Sequence, residues 1–307
     1  MAGPSISVVI PCFDGEAFIE ETLHSALGQT LAPIEVLVVD DGSRDRSAER
    51  AEAFGPPVRV VRQANRGESR ARNRGFELAR GEWIAFLDAD DRWEPTKLEH
   101  SAAAIAPDVV CVHTAYYKFG DVSGVVDRSP VPPHRRYDPR HLALRNFIPP
   151  SSAMVRRSVK ARFREDHRYG EDLLFMLDLL QEGRFAMVAE PLTGHRVHGR
   201  AQSASARAEL GWHASVGRWL EGASHLTPAE RRAIARGWDR RLALVAWQLQ
   251  WSGDAEGAEQ ARQRLGVGRR AAALRAALHL ALSPGKFLRL RREAASRRSA
   301  ARGGSGG

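Results

Sequence analysis

A chain of 307 residues with 43% hydrophobic content can bury one substantial core and a smaller appendage, since single domains mostly run from about 100 to 250 residues. No uncharged apolar run approaches the ~18 residues that a membrane span requires, and the Met1–Ser5 opening lacks the basic-then-apolar order of a signal peptide, which predicts a cytoplasmic protein or one lying against a membrane without crossing it. The net charge of +9 gathers at the far end, where Glu293 is the only acidic residue after Gly268 among many arginines.

Ile6–Ile10 reads as a buried strand stopped by Pro11, and Ala17–Gln29 as a helix with Phe18, Ile19, Thr22, Leu23, Ala26 and Leu27 at helical spacing. Ile34–Val39 is a second strand, ending in Asp40-Asp41-Gly42-Ser43; Asp45–Phe54 reads as helix and Val58–Val61 as a third strand. Glu68–Ala79 is an arginine- and alanine-rich helix, and Trp83–Leu87 a fourth strand running into Asp88-Ala89-Asp90-Asp91. Pro95 suits the first turn of another helix, and Val109–Thr114 makes a fifth strand. Ser129–Pro139, rich in Pro, Arg and His, reads as a loop. Ser152–Val155 is a strand, Gly170-Glu171-Asp172 opens a helix marked by Leu173, Leu174, Leu177 and Leu180, and Phe185–Ala189 is a strand followed by His195–Gly199.

Beyond about residue 205 the reading is helical throughout. Trp212, Val216, Trp219 and Leu220 share one face, and Ala233, Trp238, Leu242, Leu244, Val245 and Leu249 line a longer helix opened by Thr227 and Pro228. Leu274, Leu278 and Leu282 recur among Arg269, Arg270, Arg275 and His279 as a basic amphipathic helix, and the tail from about 293 reads as disordered. The predicted organisation is a catalytic domain over 1–205, a helical extension over 206–266, and the basic helix with its tail over 267–307. Cys12 and Cys111 match no metal or redox spacing and read as buried free thiols.

Alternating apolar strands and helices predict an α/β fold, a mostly parallel sheet with helices on both faces. Such sheets bind ligands beyond the carboxyl ends of their strands. Two strands here end in acidic clusters, which the fold therefore brings to one edge. Asp88-Ala89-Asp90 offers two carboxylates to one hard cation, with substrate phosphates completing the shell. Asp40 and Asp41 offer acceptors for a pyrimidine N–H or a ribose hydroxyl. Each cluster alone also fits a turn that caps the next helix.

Four segments in order, Val8-Val9-Ile10-Pro11, Val38-Val39-Asp40-Asp41-Gly42-Ser43, Arg70-Ala71-Arg72-Asn73-Arg74-Gly75 and Phe86-Leu87-Asp88-Ala89-Asp90-Asp91, resemble the successive signatures of family-2 glycosyltransferases, the inverting group with the GT-A fold. The match spans the first 95 residues, and weaker similarity continues to about 203. The resemblance implies a nucleotide-sugar donor whose base and diphosphate meet Pro11, Phe13, Asp40, Asp41, Arg70, Asn73, Asp88 and Ala89. It implies Mn²⁺ or Mg²⁺ held by Asp90, with Asp88 and His198 as further ligands. Asp172 becomes the base for the acceptor hydroxyl, with Glu171 beside it. Carboxylates in a first helical turn also complement the helix dipole, which would lower their pKa. His198 lies in an Arg196-Val197-His198 segment like the family's, and a structural or acceptor-side histidine is its other reading. Phe13-Asp14 departs from the family's usual Tyr-Asn, and His195 stands where an aromatic residue is common and takes no role. Ser151 and Ser152 read as ordinary turn serines.

The resulting expectation is a metal-dependent, inverting, non-processive sugar transferase, using a UDP or dTDP donor and a carbohydrate or lipid-linked acceptor in envelope or extracellular polysaccharide assembly. No processive-synthase Gln-x-x-Arg-Trp segment occurs. A sugar nucleotidyltransferase is the alternative enzyme, but its glycine-rich cationic loop is replaced here by Pro11-Cys12-Phe13-Asp14-Gly15. A non-enzymatic polyanion or anionic-membrane binder is the third reading; without aromatics in the basic helix, no nucleic-acid partner is expected.

Overall fold

The computed structural model describes residues 3–126, 136–144, 148–167, 169–198 and 206–265. The predicted basic helix, the tail after 293 and most of the Ser129–Pro139 loop lie outside the described residues. The chain divides into two compact units, Met1–Ala201 and Gln202–Gly307.

The first unit runs β1 (Ile6–Cys12), α1 (Ile19–Leu27), β2 (Glu35–Asp40), α2 (Ser47–Glu52), β3 (Val58–Arg62), α3 (Glu68–Leu78), β4 (Trp83–Phe86), β5 (Arg92–Trp93), α4 (Lys97–Ala103), β6 (Val109–Gly120), β7 (Gly124–Val125), the one-turn α5 (Pro139–Leu142), a 3₁₀ turn (Pro150–Ser152), β8 (Ala153–Arg156), α6 (Glu171–Leu179) and β9 (Arg184–Val197). One sheet holds the strands in the order β3-β2-β1-β4-β8-β6-β9-β5, with β7 on β6. β1, β2, β3, β4, β6 and β9 point one way, while β5, β7 and β8 run against them. The predicted mostly parallel α/β sheet is therefore present, with antiparallel β8 inserted at its centre.

Alternation along β1 explains the two helical layers. Val8 and Ile10 point to the face where Ile19, Leu23 and Ala26 of α1 are buried, each large apolar side chain contributing roughly 1.5–3 kcal/mol. Val9 points to the other face, against α3. A Cβ on Gly75 would lie 2.2 Å from Val9 Cγ1, so glycine is what lets α3 approach the sheet. Further along that second face Phe86 meets Phe76, Phe163 and Phe175 within 5.3–6.1 Å between centroids, which seats α6 beside α3.

Several boundaries differ from the sequence reading for local reasons. β1 continues through Pro11 to Cys12, because its missing N–H faces the β4 side, where pairing has already ended at Val9–Phe86. The helix expected at Pro95 begins at Lys97, since the Pro95 carbonyl accepts Thr30 N–H at 2.9 Å instead of a helical donor. β9 extends to Val197 by pairing with the whole length of β6, so His195 and Arg196 belong to a strand rather than to a loop after it.

The second unit contains α7 (Ala206–Gly222), α8 (Pro228–Ser252) and α9 (Ala255–Arg264). Thr227 caps α8 in a reciprocal box with Glu230, Pro228 takes the first turn, and Gly253 at φ +86° ends it. Leu210, Leu242, Val245, Leu249, Ala258, Ala261 and Leu265 form its core. No helix among the described residues is long and apolar enough to cross a membrane.

Candidate active site

The parallel strands deliver their carboxyl ends to one edge. Cys12 pairs with Asp40 and its carbonyl accepts Asp41 N–H at 2.8 Å, so Pro11, Phe13, Asp40 and Asp41 are neighbours. Phe13 is 45% exposed with the Arg44 guanidinium 5.6 Å from its ring centroid. Asp14, at φ +49°, accepts from Arg44 N–H (2.8 Å) and Nη2 (2.7 Å). Those bonds, the backbone one foremost, hold its carboxyl below the ordinary value.

Asp41 is 3% exposed, and its carboxylate is engaged within the chain. Oδ1 accepts from Gln63 Nε2 at 2.7 Å and Arg66 N–H at 3.0 Å; Oδ2 accepts from Gly67 N–H at 2.7 Å. It thereby fixes the Gln63–Gly67 turn that leads into α3. Asp40 Oδ1 accepts from Ser43 N–H at 3.3 Å.

The second acidic turn, Asp88–Asp91, has a different environment. Asp88 Oδ1 accepts from Arg72 Nη2 at 2.8 Å. Arg72 is buried on α3, lies 5.1 Å from the Phe163 ring centroid, pairs also with Glu68, and brings Nη1 to 4.0 Å from Glu171. These carboxylates keep the guanidinium charged despite its burial, the opposing and largest influence. Ala89 O accepts from Thr22 Oγ1 at 2.9 Å, tying the turn to α1. Asp90, with a side chain 38% exposed, places Oδ2 2.9 Å from His198 Nε2, while its carbonyl accepts from Arg196 Nε at 2.7 Å. Asp91 is fully buried and accepts from Ser151 Oγ (2.6 Å) and Arg196 N–H (2.8 Å), with His195 Nδ1 at 3.3 Å. Burial pushes Asp91 above the usual carboxylate value against the His195 bond. Burial opposes charge on His195 as well, but Asp91 outweighs it and raises the imidazole pKa.

Across Arg72 stands the first turn of α6. Glu171 is largely buried, and burial, then the charges of Asp172 and Glu68, push its pKa up to about 8. The expected lowering by the helix dipole is thus overridden at Glu171. Asp172 Oδ1 accepts Leu173 N–H at 2.7 Å.

The fold therefore joins Asp88, Glu171 and Arg72 in one charged cluster and sets Asp90 against His198. Arg70 and Asn73 turn elsewhere. Arg70 pairs with Glu165 at 3.1 Å, and Asn73 exchanges bonds with Phe163 O (2.8 Å) and N–H (3.0 Å) and donates to Glu165 (2.9 Å), which pins the 163–165 segment. Sequence reasoning missed Arg72 as an individual residue, Asp91 and Ser151. Ser151 is no ordinary turn serine: fully buried, it donates to Asp91, accepts Asp88 N–H at 3.0 Å, and offers its carbonyl to Trp93 Nε1 at 2.7 Å. The Asp91 next to Asp88-Ala89-Asp90 was the available signal for the first of these contacts. Nothing in a Ser-Ser pair announces the second.

Among the described residues no group of three or more His, Cys, Asp and Glu side chains converges on one point as a metal cage. The half-exposed Asp90 with His198 is nonetheless a hard-oxygen and imidazole pair that suits Mg²⁺ or Mn²⁺ when phosphate oxygens supply the rest of the shell.

The family model described as glycosyl transferase family 2 matches residues 7–163, and the chain belongs to that family. An uncharacterized glycosyltransferase of Haemophilus influenzae is 30% identical over 189 residues, covering 58% of this chain and 73% of that protein. The uncharacterized glycosyltransferase EpsJ of Bacillus subtilis is 47% identical over 91 residues, 29% of this chain; the match spans only 26% of EpsJ. In fold the chain is similar to Staphylococcus aureus TarS 1–349 in complex with UDP-GlcNAc, with TM-score 0.63 and 18% identity over 84% of this chain and 89% of that one. It is likewise similar to the mannosyltransferase PcManGT of Pyrobaculum calidifontis in complex with GDP-Man and Mn²⁺, with TM-score 0.61 and 18% identity over 95% and 84% of the two chains. These likenesses carry the GT-A architecture that the sequence motifs imply.

Proposed function

We propose that the chain transfers a sugar from a nucleotide diphosphate donor, UDP or dTDP, to an acceptor hydroxyl with inversion and one transfer per encounter. The observation that carries this reading is the Asp88–Asp91 turn. It sets the Asp90–His198 pair at the ligand edge and joins Asp88 through Arg72 to Glu171 at the start of α6. The complexes of TarS with UDP-GlcNAc and of PcManGT with GDP-Man and Mn²⁺ support a nucleotide-sugar donor and a divalent ion here.

In this mechanism Phe13 covers the base, and Asp41 with its turn closes the other side of the base pocket. Asp90 and His198 would hold Mn²⁺ or Mg²⁺, with Asp88 at the ribose or as a further ligand. Such an ion, when bound, would supply positive charge to offset that of the departing diphosphate. Asp172 takes the proton from the acceptor hydroxyl, and Glu171, protonated below about pH 8, limits negative charge beside it. Arg72 holds the Asp88 carboxylate in place. The catalytic domain spans 1–205, the helical extension 206–266, and the basic segment 267–307 docks the enzyme on an anionic membrane near a lipid-linked envelope saccharide. Liposome flotation of the whole chain against one ending at Leu265 tests that docking, and equal behaviour would discard it.

The deciding assay is nucleotide release from UDP-, dTDP- and GDP-sugars with Mn²⁺, Mg²⁺ or EDTA. Metal-dependent release from one donor is the expected result. Pyrophosphate release would point instead to nucleotidyl transfer, and the absence of any metal-dependent nucleotide binding by calorimetry would overturn the transferase reading.

A further inference from the structure

His195 is built into the site with no part in the mechanism above. Its Nδ1 faces Asp91 Oδ2 at 3.3 Å, and that buried carboxylate is fixed from two other directions by Ser151 Oγ at 2.6 Å and Arg196 N–H at 2.8 Å. The contact with this fixed carboxylate sets the orientation of the ring. The imidazole is 33% exposed, and among the described residues Nε2 has no hydrogen bond within the chain.

Strand alternation separates this ring from its neighbours. Arg196 and His198 pack on Phe18, with the guanidinium 4.7 Å from its ring and the imidazole at 5.3 Å between centroids. His195 lies instead with Ser151 and Asp91, its ring edge-on to Tyr116 at 6.1 Å. Ser151 also accepts Asp88 N–H, so the oriented imidazole is bracketed to the acidic turn itself. A ring nitrogen on the ligand edge beside an aromatic ring suits a sugar. A hydroxyl can donate to Nε2 or accept from it, whereas phosphate oxygens serve only one protonation form.

We propose that His195, aimed by Asp91 as a positioning residue, binds a hydroxyl of the sugar being transferred and helps select which sugar that is. The sugar is attached directly to the diphosphate that Asp88 and Asp90 serve, so it is the saccharide nearest this turn. The inference rests on the transferase reading above.

Calorimetry on the full chain with Mn²⁺, using UDP, UDP-GlcNAc, GDP and GDP-mannose as probes, tests it. His195→Ala leaves affinity for the bare nucleotide within about twofold but weakens the matching nucleotide-sugar roughly three- to tenfold, the worth of one net hydrogen bond. His195→Gln recovers part of the loss, and Asp91→Asn shows an intermediate one. Thermal melting accompanies each variant; if Asp91→Asn does not fold, the two partly exposed His195 variants decide. An equal fall for nucleotide and nucleotide-sugar, or no fall in either, overturns the role. So does a loss confined to transfer onto a saccharide acceptor, which would move His195 to the acceptor side. Failure of the unaltered chain to bind these four probes and also dTDP and dTDP-glucose overturns the transferase reading itself, and the two failures are thereby distinguished.

Discussion

β2 and β4 both end in paired aspartates at the same edge of the sheet, yet their side chains live in opposite circumstances. Asp41 is 3% exposed and each of its oxygens accepts hydrogen bonds from the chain's own Gln63–Gly67 turn. Asp90 is 38% exposed and its side chain leans on an imidazole, while Asp88 faces a buried guanidinium. The two strand ends differ in their packing partners. Beyond β2 the chain returns through a turn whose N–H groups need an acceptor; beyond β4 it meets α1, β9 and the 3₁₀ turn, which grip the backbone of Asp88–Asp91 and the buried Asp91 carboxylate. Gripping a turn by its backbone leaves the Asp90 carboxylate available to a ligand, and using a carboxylate as the grip consumes it.

The sharpest way to break this comparison is to remove each carboxylate in turn. Asp90→Ala should lower metal-dependent nucleotide release by roughly 10²–10³-fold, as loss of a charge-stabilising group does, while its melting temperature stays close to that of the unaltered chain. Asp41→Ala should do the reverse in stability, costing roughly 1–3 kcal/mol in denaturant unfolding because the buried carboxylate that ties down the Gln63–Gly67 turn is lost. If Asp41→Ala melts normally and only nucleotide affinity falls, Asp41 is a ligand contact and its turn holds without it.

The same contrast explains how far the sequence could be read. Strand and helix order, the two acidic edges and the Thr227-Pro228 helix start were legible because periodicity and capping are local signals. The position of Asn73 was legible, but its work was not, since its partners Phe163 and Glu165 are about ninety residues away along the chain. Arg72 and Ser151 were hidden for the same reason: their importance comes from burial between elements that only the finished sheet brings together. Pro11 misled about a strand end because the sequence does not say which side of β1 loses its partner first.

Beneath the Asp88–Asp91 turn lies a further cost that the β2 end lacks. Lys97 is fully buried, its ammonium 4.0 Å from the Trp93 ring centroid, and Nζ has no hydrogen-bond partner among the described residues. Burial, with a smaller opposing pull from Cys111, brings its pKa down to about 7. Between about pH 7 and the ordinary lysine value of 10.5 the unfolded chain binds this proton and the folded chain does not, so stability rises with pH across that window. Lys97→Met should stabilise by roughly 1–3 kcal/mol at pH 7, with the advantage shrinking toward pH 10 in parallel denaturant titrations. A pH-independent difference would mean that the buried amine titrates as it does in the unfolded chain and stays protonated across this range.

The smallest expected effect lies across Arg72, at Glu171, where the β4 end meets α6. Burial and the charges of Asp172 and Glu68 raise Glu171 to about 8, so between its ordinary value of 4.5 and 8 the folded chain holds a proton that the unfolded chain releases. Stability therefore falls as pH rises through that window, the opposite slope to Lys97. Above pH 8 the ionised side chain also adds a negative charge beside the proposed base and the departing diphosphate. Glu171→Gln keeps the neutral form at every pH. It should hold nucleotide release within a few-fold of the unaltered chain at pH 7, and remove the decline expected from pH 8 to 9. Parallel alkaline limbs in the two proteins would assign that decline to another group. A large loss at pH 7 would mean that Glu171 acts as a carboxylate, and that the proton sits on Asp172 instead.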